Sequence, residues 1–248
     1  MVWPELPVQI TRNNDSKLRE KVSALANKIQ KRVIYSSMEK VGDSAAAVEY
    51  CTARLVLPDG TEAFQYRKNS LIPFFESSPF PQLTRLSYVN FQAGNEEVVF
   101  PIDDRTTVIP SLCYDLHSPR HLRKGIRMGG NIIIHMSSFY TFDNSPVPYI
   151  DYAIAKFYAV AYRVPMVRST NRGYGAFIQA RGDAIEGSET TPKDRKIKSF
   201  PLFIPEKRSL YIYLGDTFLY VLTVFVLGRA IQYCMVFTRL QIKKPAGI

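Results

Sequence analysis

The segment Asn131-Ile132-Ile133-Ile134-His135-Met136 constrains the fold more than any other stretch of this chain. It is an apolar run too short for an ordinary helix, it opens after the turn signal Gly129-Gly130, and it lacks the polar alternation of a strand with one wet face. A strand of this kind has to be covered on both faces. The cover is close at hand in sequence. Ser118-Pro119 is an N-cap followed by proline at the first helical position, and it predicts a helix carrying His121 to Met128. A second helix is expected over Tyr149 to Arg163. Strands are expected over Val108 to Leu112, Met166 to Thr170 and Tyr174 to Gln179.

Upstream, Leu18, Val22, Leu25 and Ile29 recur at helical spacing from Asp15 on, and Val33-Ile34-Tyr35 follows as a strand. Val48 to Leu57, the turn Pro58-Asp59-Gly60 and Ala63 to Tyr66 read as a β-hairpin. Proline-rich irregular chain is expected from Pro73 to Pro81. Strands alternating with helices, plus hairpins, argue for an α/β sandwich with buried sheets.

The last part of the chain follows a different rule. From Thr217 to Phe237 the only charge is Arg229. At about 1.5 Å per residue this run reaches across a hydrocarbon core of about 30 Å, so a transmembrane helix is expected. Arg229 costs about 2.5–3.5 kcal/mol at the bilayer centre and less if it snorkels. The bland alternative is a core helix carrying one arginine. Lys207 and Arg208 precede the run and Lys243 and Lys244 follow it, so charge alone does not orient it. The expected organisation is a globular domain over 1–208, a membrane-entry segment and helix over 209–237, and a basic tail over 238–248.

Lys and Arg total 32 against 22 Asp and Glu, a net charge of +10. The positive residues are scattered, apart from Lys193, Arg195, Lys196 and Lys198 and the tail pair. No ribonucleoprotein motif or paired-cysteine finger accompanies them, so no nucleic-acid partner is expected. The excess suits work against an anionic membrane surface. Three cysteines, Cys51, Cys113 and Cys234, are too few and too spread for a disulfide framework.

Cys113 is the candidate for chemistry. It follows a strand and precedes a helix, where α/β folds bind ligands and where a helix N-terminus favours thiolate over thiol. Filling a core is the commoner fate of a free cysteine, and packing is the expected role of Cys51 and Cys234. His117 and His121, four apart, could share a metal, but no third ligand is apparent. They read as surface histidines, and no metal or cofactor is expected.

Three segments read together go further: Val2-Trp3-Pro4-Glu5, Tyr66-Arg67-Lys68-Asn69-Ser70-Leu71-Ile72-Pro73-Phe74-Phe75-Glu76, and Pro110-Ser111-Leu112-Cys113-Tyr114-Asp115. They resemble the nitrilase superfamily of carbon–nitrogen hydrolases, with its glutamate after a "PE" step, its lysine before a "hLxPFGE" loop, and its cysteine in "CYE/CYD". The resemblance implies a nitrilase-like α-β-β-α sandwich. It also implies that Glu5 is the general base, Lys68 the electrostatic partner, Cys113 the nucleophile and Glu76 the residue that orients the lysine. Tyr114 would offer its backbone N–H to the oxyanion, with Asp115 beside it. A carboxylate takes the thiol proton, and an ammonium stabilises thiolate and oxyanion in a site with little water. Glu5, beside a cation, is expected to stay ionised at neutral pH.

Within the superfamily, "YRKNSLIPFFESSP", Val167 to Gly173 and Ser209 to Phe218 resemble the apolipoprotein N-acyltransferase family. That family moves an acyl chain from a phospholipid donor, through a cysteine thioester, to the amine of a lipoprotein acceptor. It works at the bacterial inner membrane with its catalytic domain on the periplasmic side. The resemblance therefore implies membrane, phospholipid and lipoprotein partners.

The chain also departs from the family. The family's N-terminal membrane bundle and the first strand before "PE" are not in this sequence, so a separate membrane-bundle polypeptide or a longer parent is expected to supply them. Phe75 stands where the family loop has glycine, and Asp115 where the transferase usually has glutamate. Met136-Ser137-Ser138-Phe139 lacks the family's "SND-WFG" loop, and Tyr158 and Ala161 stand where its helix has arginine and glutamate. An amidase of the same superfamily and a catalytically silent membrane-anchored binding module stay open as alternatives.

Overall fold

The computed structural model describes residues 1–5, 15–42, 47–78, 80, 91–142 and 145–242, with side chains of the last helix described through Met235. The chain divides into two compact units, Met1–Ser209 and Leu210–Ile248.

The first unit opens with α1 (Asp15–Ile29), then β1 (Val33–Val41), β2 (Val48–Val56) and β3 (Glu62–Arg67). It continues through β4 (Phe100–Pro101), β5 (Thr107–Leu112), a 3₁₀ turn over Cys113–His117, α2 (Pro119–Arg127) and β6 (Ile132–Ser138). A second 3₁₀ turn (Tyr140–Phe142), α3 (Val147–Tyr162), β7 (Met166–Asn171) and β8 (Ala176–Ile178) complete it. β1, β2 and β3 form one antiparallel sheet, and Val2 joins its edge through a parallel bridge to Ile34. The second sheet has the order β4-β5-β6-β7-β8, with a parallel β5-β6-β7 centre and an antiparallel strand on each flank.

The two sheets share one core. Ile34, Ala53, Leu55 and Tyr66 of the first sheet pack with Phe100, Val108, Leu112, Ile132, Ile134 and Met136 of the second. On the outer face of the first sheet, Val22 and Ala26 of α1 bury against Val33, Tyr35 and Val56. α2 covers the second sheet so closely that a Cβ at Gly125 would lie 2.7 Å from Ile109 Cγ2, which explains a glycine inside that helix. β6 is the strand with two covered faces: Ile132 to Ser137 are all buried. The fold is thus the expected α-β-β-α sandwich. Each fully buried Ile or Leu of its core contributes about 1.5–3 kcal/mol.

Three local expectations change. Ser118 occupies the N-cap position of α2, yet its side chain makes no capping bond, and its N–H closes the preceding 3₁₀ turn on Asp115 O at 3.0 Å. The strand expected over Tyr174–Gln179 shortens to Ala176–Ile178. His121 is not a surface residue but is buried, at 2% exposure.

In the second unit a short α4 (Tyr211–Leu214) precedes α5 (Thr217–Ile242). α5 continues past Phe237, so it takes up the start of the expected tail. Lys243 and Lys244 lie outside the described residues, as does Pro81. Thr217–Met235 is long and apolar enough to cross a membrane by length and composition.

Candidate active site

Glu5 is brought in by the edge of the first sheet. Trp3 N–H donates to Ile34 O and Ile34 N–H to Met1 O, both at 2.9 Å, so the chain arrives at Glu5 as an extended strand. Lys68 follows directly on β3, where its N–H donates to Cys51 O at 2.8 Å. Cys113 follows directly on β5 and opens the 3₁₀ turn with φ +46°, a left-handed conformation that costs a non-glycine residue about 1–3 kcal/mol.

Lys68 is completely buried, and its ammonium donates to both oxygens of Glu76, at 2.6 and 2.8 Å. Glu76 Oε2 also accepts from Ile72 N–H at 2.8 Å, which folds the loop around its own carboxylate. Glu5 sits in the same pocket. Its Oε1 accepts from the Cys51 thiol at 3.5 Å and its Oε2 from Ser138 N–H at 3.0 Å. Cys113 lies within electrostatic reach of Glu5, Lys68 and Glu76. The structure therefore brings Glu5, Lys68 and Glu76 into one buried cluster, with the half-buried Cys113 in its field.

Asp115 ties the cysteine turn to the lysine segment. Its Oδ1 accepts from Asn69 N–H and Ser70 N–H at 3.2 and 2.8 Å, and its Oδ2 from Tyr66 Oη and Leu112 N–H at 2.9 and 3.1 Å. Tyr114 is half-buried, with its ring stacked on His117 at 5.1 Å between centroids.

The electrostatics overturn two expectations. Burial, reinforced by the Glu5 charge, pushes the Cys113 thiol well above its ordinary value in spite of Lys68, so the resting group is a thiol and not a helix-stabilised thiolate. Burial also raises the Glu5 carboxyl from 4.5 to about 7, against the pull of Lys68, so Glu5 is poised near neutrality and not firmly ionised. Burial pulls the Lys68 ammonium down, but its ionisable neighbours, with Glu76 hydrogen-bonded to it, outweigh burial and hold Lys68 well above its ordinary value. The cation is secure, and the titrating group is the carboxylate beside it. Such a cluster can withdraw a proton from sulfur and stabilise an adjacent oxyanion.

Sequence reasoning missed several residues. Cys51, expected only to pack, holds the carboxylate of Glu5, and it sits in a hairpin strand with no motif to mark it. His117 and His121 have different partners and share none among the described residues. His117 Nε2 lies 3.0 Å from Asp151 Oδ1, while His121 bridges Glu97 and the carbonyl of Pro110. Asp151 further engages Arg168 at 2.7 Å and His135 at 3.5 Å. The helical position of Asp151 on a mainly apolar α3 was the available signal.

Comparison with known proteins agrees with this architecture. Residues 1–231 match the carbon-nitrogen hydrolase family. The apolipoprotein N-acyltransferase of Rhizobium rhizogenes is 26% identical over 203 residues, which covers 75% of this chain and 37% of that protein. The one from Geobacter metallireducens is 26% identical over 250 residues, 96% of this chain and 46% of that protein. The chain thus spans less than half the length of these relatives. Among solved structures, a carbon-nitrogen hydrolase from Helicobacter pylori superposes with a TM-score of 0.59 at 19% identity, covering 74% of this chain and 65% of that one. An amidase from Nesterenkonia gives 0.59 at 16% identity, covering 77% and 73%. Sandwich, strand order and matched span together establish that this chain belongs to the carbon-nitrogen hydrolase family.

Proposed function

We propose that this chain is the nitrilase-like catalytic part of an acyltransferase that works through a thioester on Cys113. The observation that carries the reading is the buried Lys68 ammonium, held by Glu76 and within electrostatic reach of both Cys113 and Glu5. In the first half-reaction Glu5 takes the proton of the Cys113 thiol as sulfur attacks an acyl ester carbonyl. Lys68 stabilises the oxyanion, with Tyr114 N–H as a second donor. The C–O bond then breaks, the alkoxide takes the proton from Glu5, and a thioester remains on Cys113. In the second half-reaction an amine attacks the thioester and gives its proton to Glu5. The C–S bond breaks and the sulfur is reprotonated.

The relatives named apolipoprotein N-acyltransferase support a phospholipid as acyl donor and the N-terminal amine of a lipoprotein as acceptor. They also support a membrane location, with α5 as the span, and in this reading the unit faces the periplasm from the bacterial inner membrane. Because the relatives are more than twice as long, the lipid-facing bundle is assigned to further chain, on the same or a separate polypeptide.

The test is to incubate the full chain with phospholipid labelled in its sn-1 acyl chain and to map the label by mass spectrometry. A hydroxylamine-labile acyl group on Cys113, absent in Cys113→Ala and Lys68→Ala, is the expected result. Label that stays off Cys113 overturns the reading. Rapid loss of the thioester to water in the presence of an acceptor amine would instead favour a hydrolase.

A further inference from the structure

A second concave region lies apart from the cysteine. A cleft of about 1450 Å³ is walled by Trp3, by β7 and β8, and by the irregular segment from Thr190 to Ser199. Its charge is one-sided. Arg168, Arg172, Lys193, Arg195, Lys196 and Lys198 all line it, against the single carboxylate of Asp194. Asp194 is already committed: it pairs with Lys196 at 3.0 Å and accepts from Thr191 N–H and Oγ1. Lys198 donates to the carbonyls of Gly187 and Glu189, both at 2.6 Å, which leaves its charge uncompensated. The Glu189 carboxylate meanwhile faces Tyr152 and Lys156. Lys193 and Arg195 are exposed and have no ion-pair partner among the described residues.

Two further atoms point to a ligand. Arg168 is 3% exposed and its Nη1 pairs with Asp151, yet its Nη2 has no hydrogen-bond partner. Thr170 Oγ1, two residues along the same strand, has none either. Both residues line the cleft. Among the described residues, a guanidinium N–H of Arg168, the Thr170 hydroxyl and the exposed cations Lys193 and Arg195 are donors without acceptors, in a concavity that focuses positive potential. A tetrahedral dianion with several acceptor oxygens suits such a set better than a single carboxylate does.

We infer that this cleft binds a phosphate-bearing anion, the chemistry shared by a phospholipid headgroup and by free phosphate. The inference does not rest on the acyl-transfer reading, because none of its residues belongs to the Cys113 cluster. The chain supplies its own reporter, since its only tryptophan, Trp3, lines the cleft. The full chain in uncharged maltoside micelles is titrated with dihexanoyl phosphatidylglycerol and, separately, with inorganic phosphate. Trp3 emission and calorimetry are both read. Saturable binding is expected, weakened roughly tenfold or more in Lys193→Ala/Arg195→Ala and by added salt, and retained in Cys113→Ala. Binding of the lipid alone identifies a headgroup site, and binding of both probes a site for the phosphate itself. No binding by either method, or binding that the double variant keeps in full, overturns the inference.

Discussion

Lys68 and Lys193 carry the same ammonium group in two opposite settings. Lys68 has no exposed surface and two carboxylate oxygens within 2.8 Å, with Glu5 and Cys113 in the same field. Lys193 stands on the open wall of a cleft whose cations outnumber its acids. A charge taken out of water is tolerated only where partners surround it, so every group near Lys68 depends on every other. A solvated charge depends on little, and its value lies in the field it adds to. The buried cluster is therefore brittle and specific, whereas the cleft is robust and additive.

The contrast breaks most visibly at Lys68. Lys68→Met leaves Glu76 and Glu5 facing each other without a cation, and a loss of about 3–5 kcal/mol is expected in urea unfolding. An unchanged midpoint would show that the cluster is not coupled. Asp115→Ala comes next, since four donors from two segments lose one acceptor. A loss of about 3 kcal/mol by the same measurement is expected, together with weaker acylation of Cys113.

Protonation sharpens the comparison further. Because the folded-state carboxyl of Glu5 is raised from 4.5 to about 7, the native protein keeps a proton there that the unfolded chain gives up. The contribution of Glu5 to stability therefore falls as pH rises from about 4.5 to 7, and Glu5→Gln should flatten that part of the profile. Acylation of Cys113 should rise with pH about a midpoint near 7, as Glu5 becomes able to accept a proton. Cys51→Ala removes a donor that favours the charged form, so it should move that midpoint upward, while Cys51→Ser should hold it. The smallest effect is expected at the other pole: Lys193→Ala/Arg195→Ala should change unfolding stability by no more than about 0.5 kcal/mol.

The same contrast explains what could be read from the residues alone. The sandwich was legible because the apolar run at Ile132–Met136 and the 3.6-residue spacing from Leu18 to Ile29 are local signals. Glu5, Lys68, Glu76 and Cys113 were legible only together, through three short segments with a family likeness. Cys51 was not, because its partner Glu5 lies 46 residues away in sequence and nothing near either residue announces the contact. The state of the Cys113 thiol was misjudged for a related reason: a following helix is visible in sequence, but burial and a facing carboxylate are not. The cations from Lys193 to Lys198 were plain as a cluster. That β7 and Trp3 share a concavity with them is a matter of folding alone.

The carbonyl of Glu76 takes the N–H of Phe91, Glu49 O takes that of Gln92, and Lys68 O takes that of Gly94, all at 2.8–2.9 Å. The chain thus leaves and re-enters the neighbourhood of the lysine through fastened points. Loss of any one of these three bonds would loosen the backbone on either side of Lys68 without touching a reacting side chain.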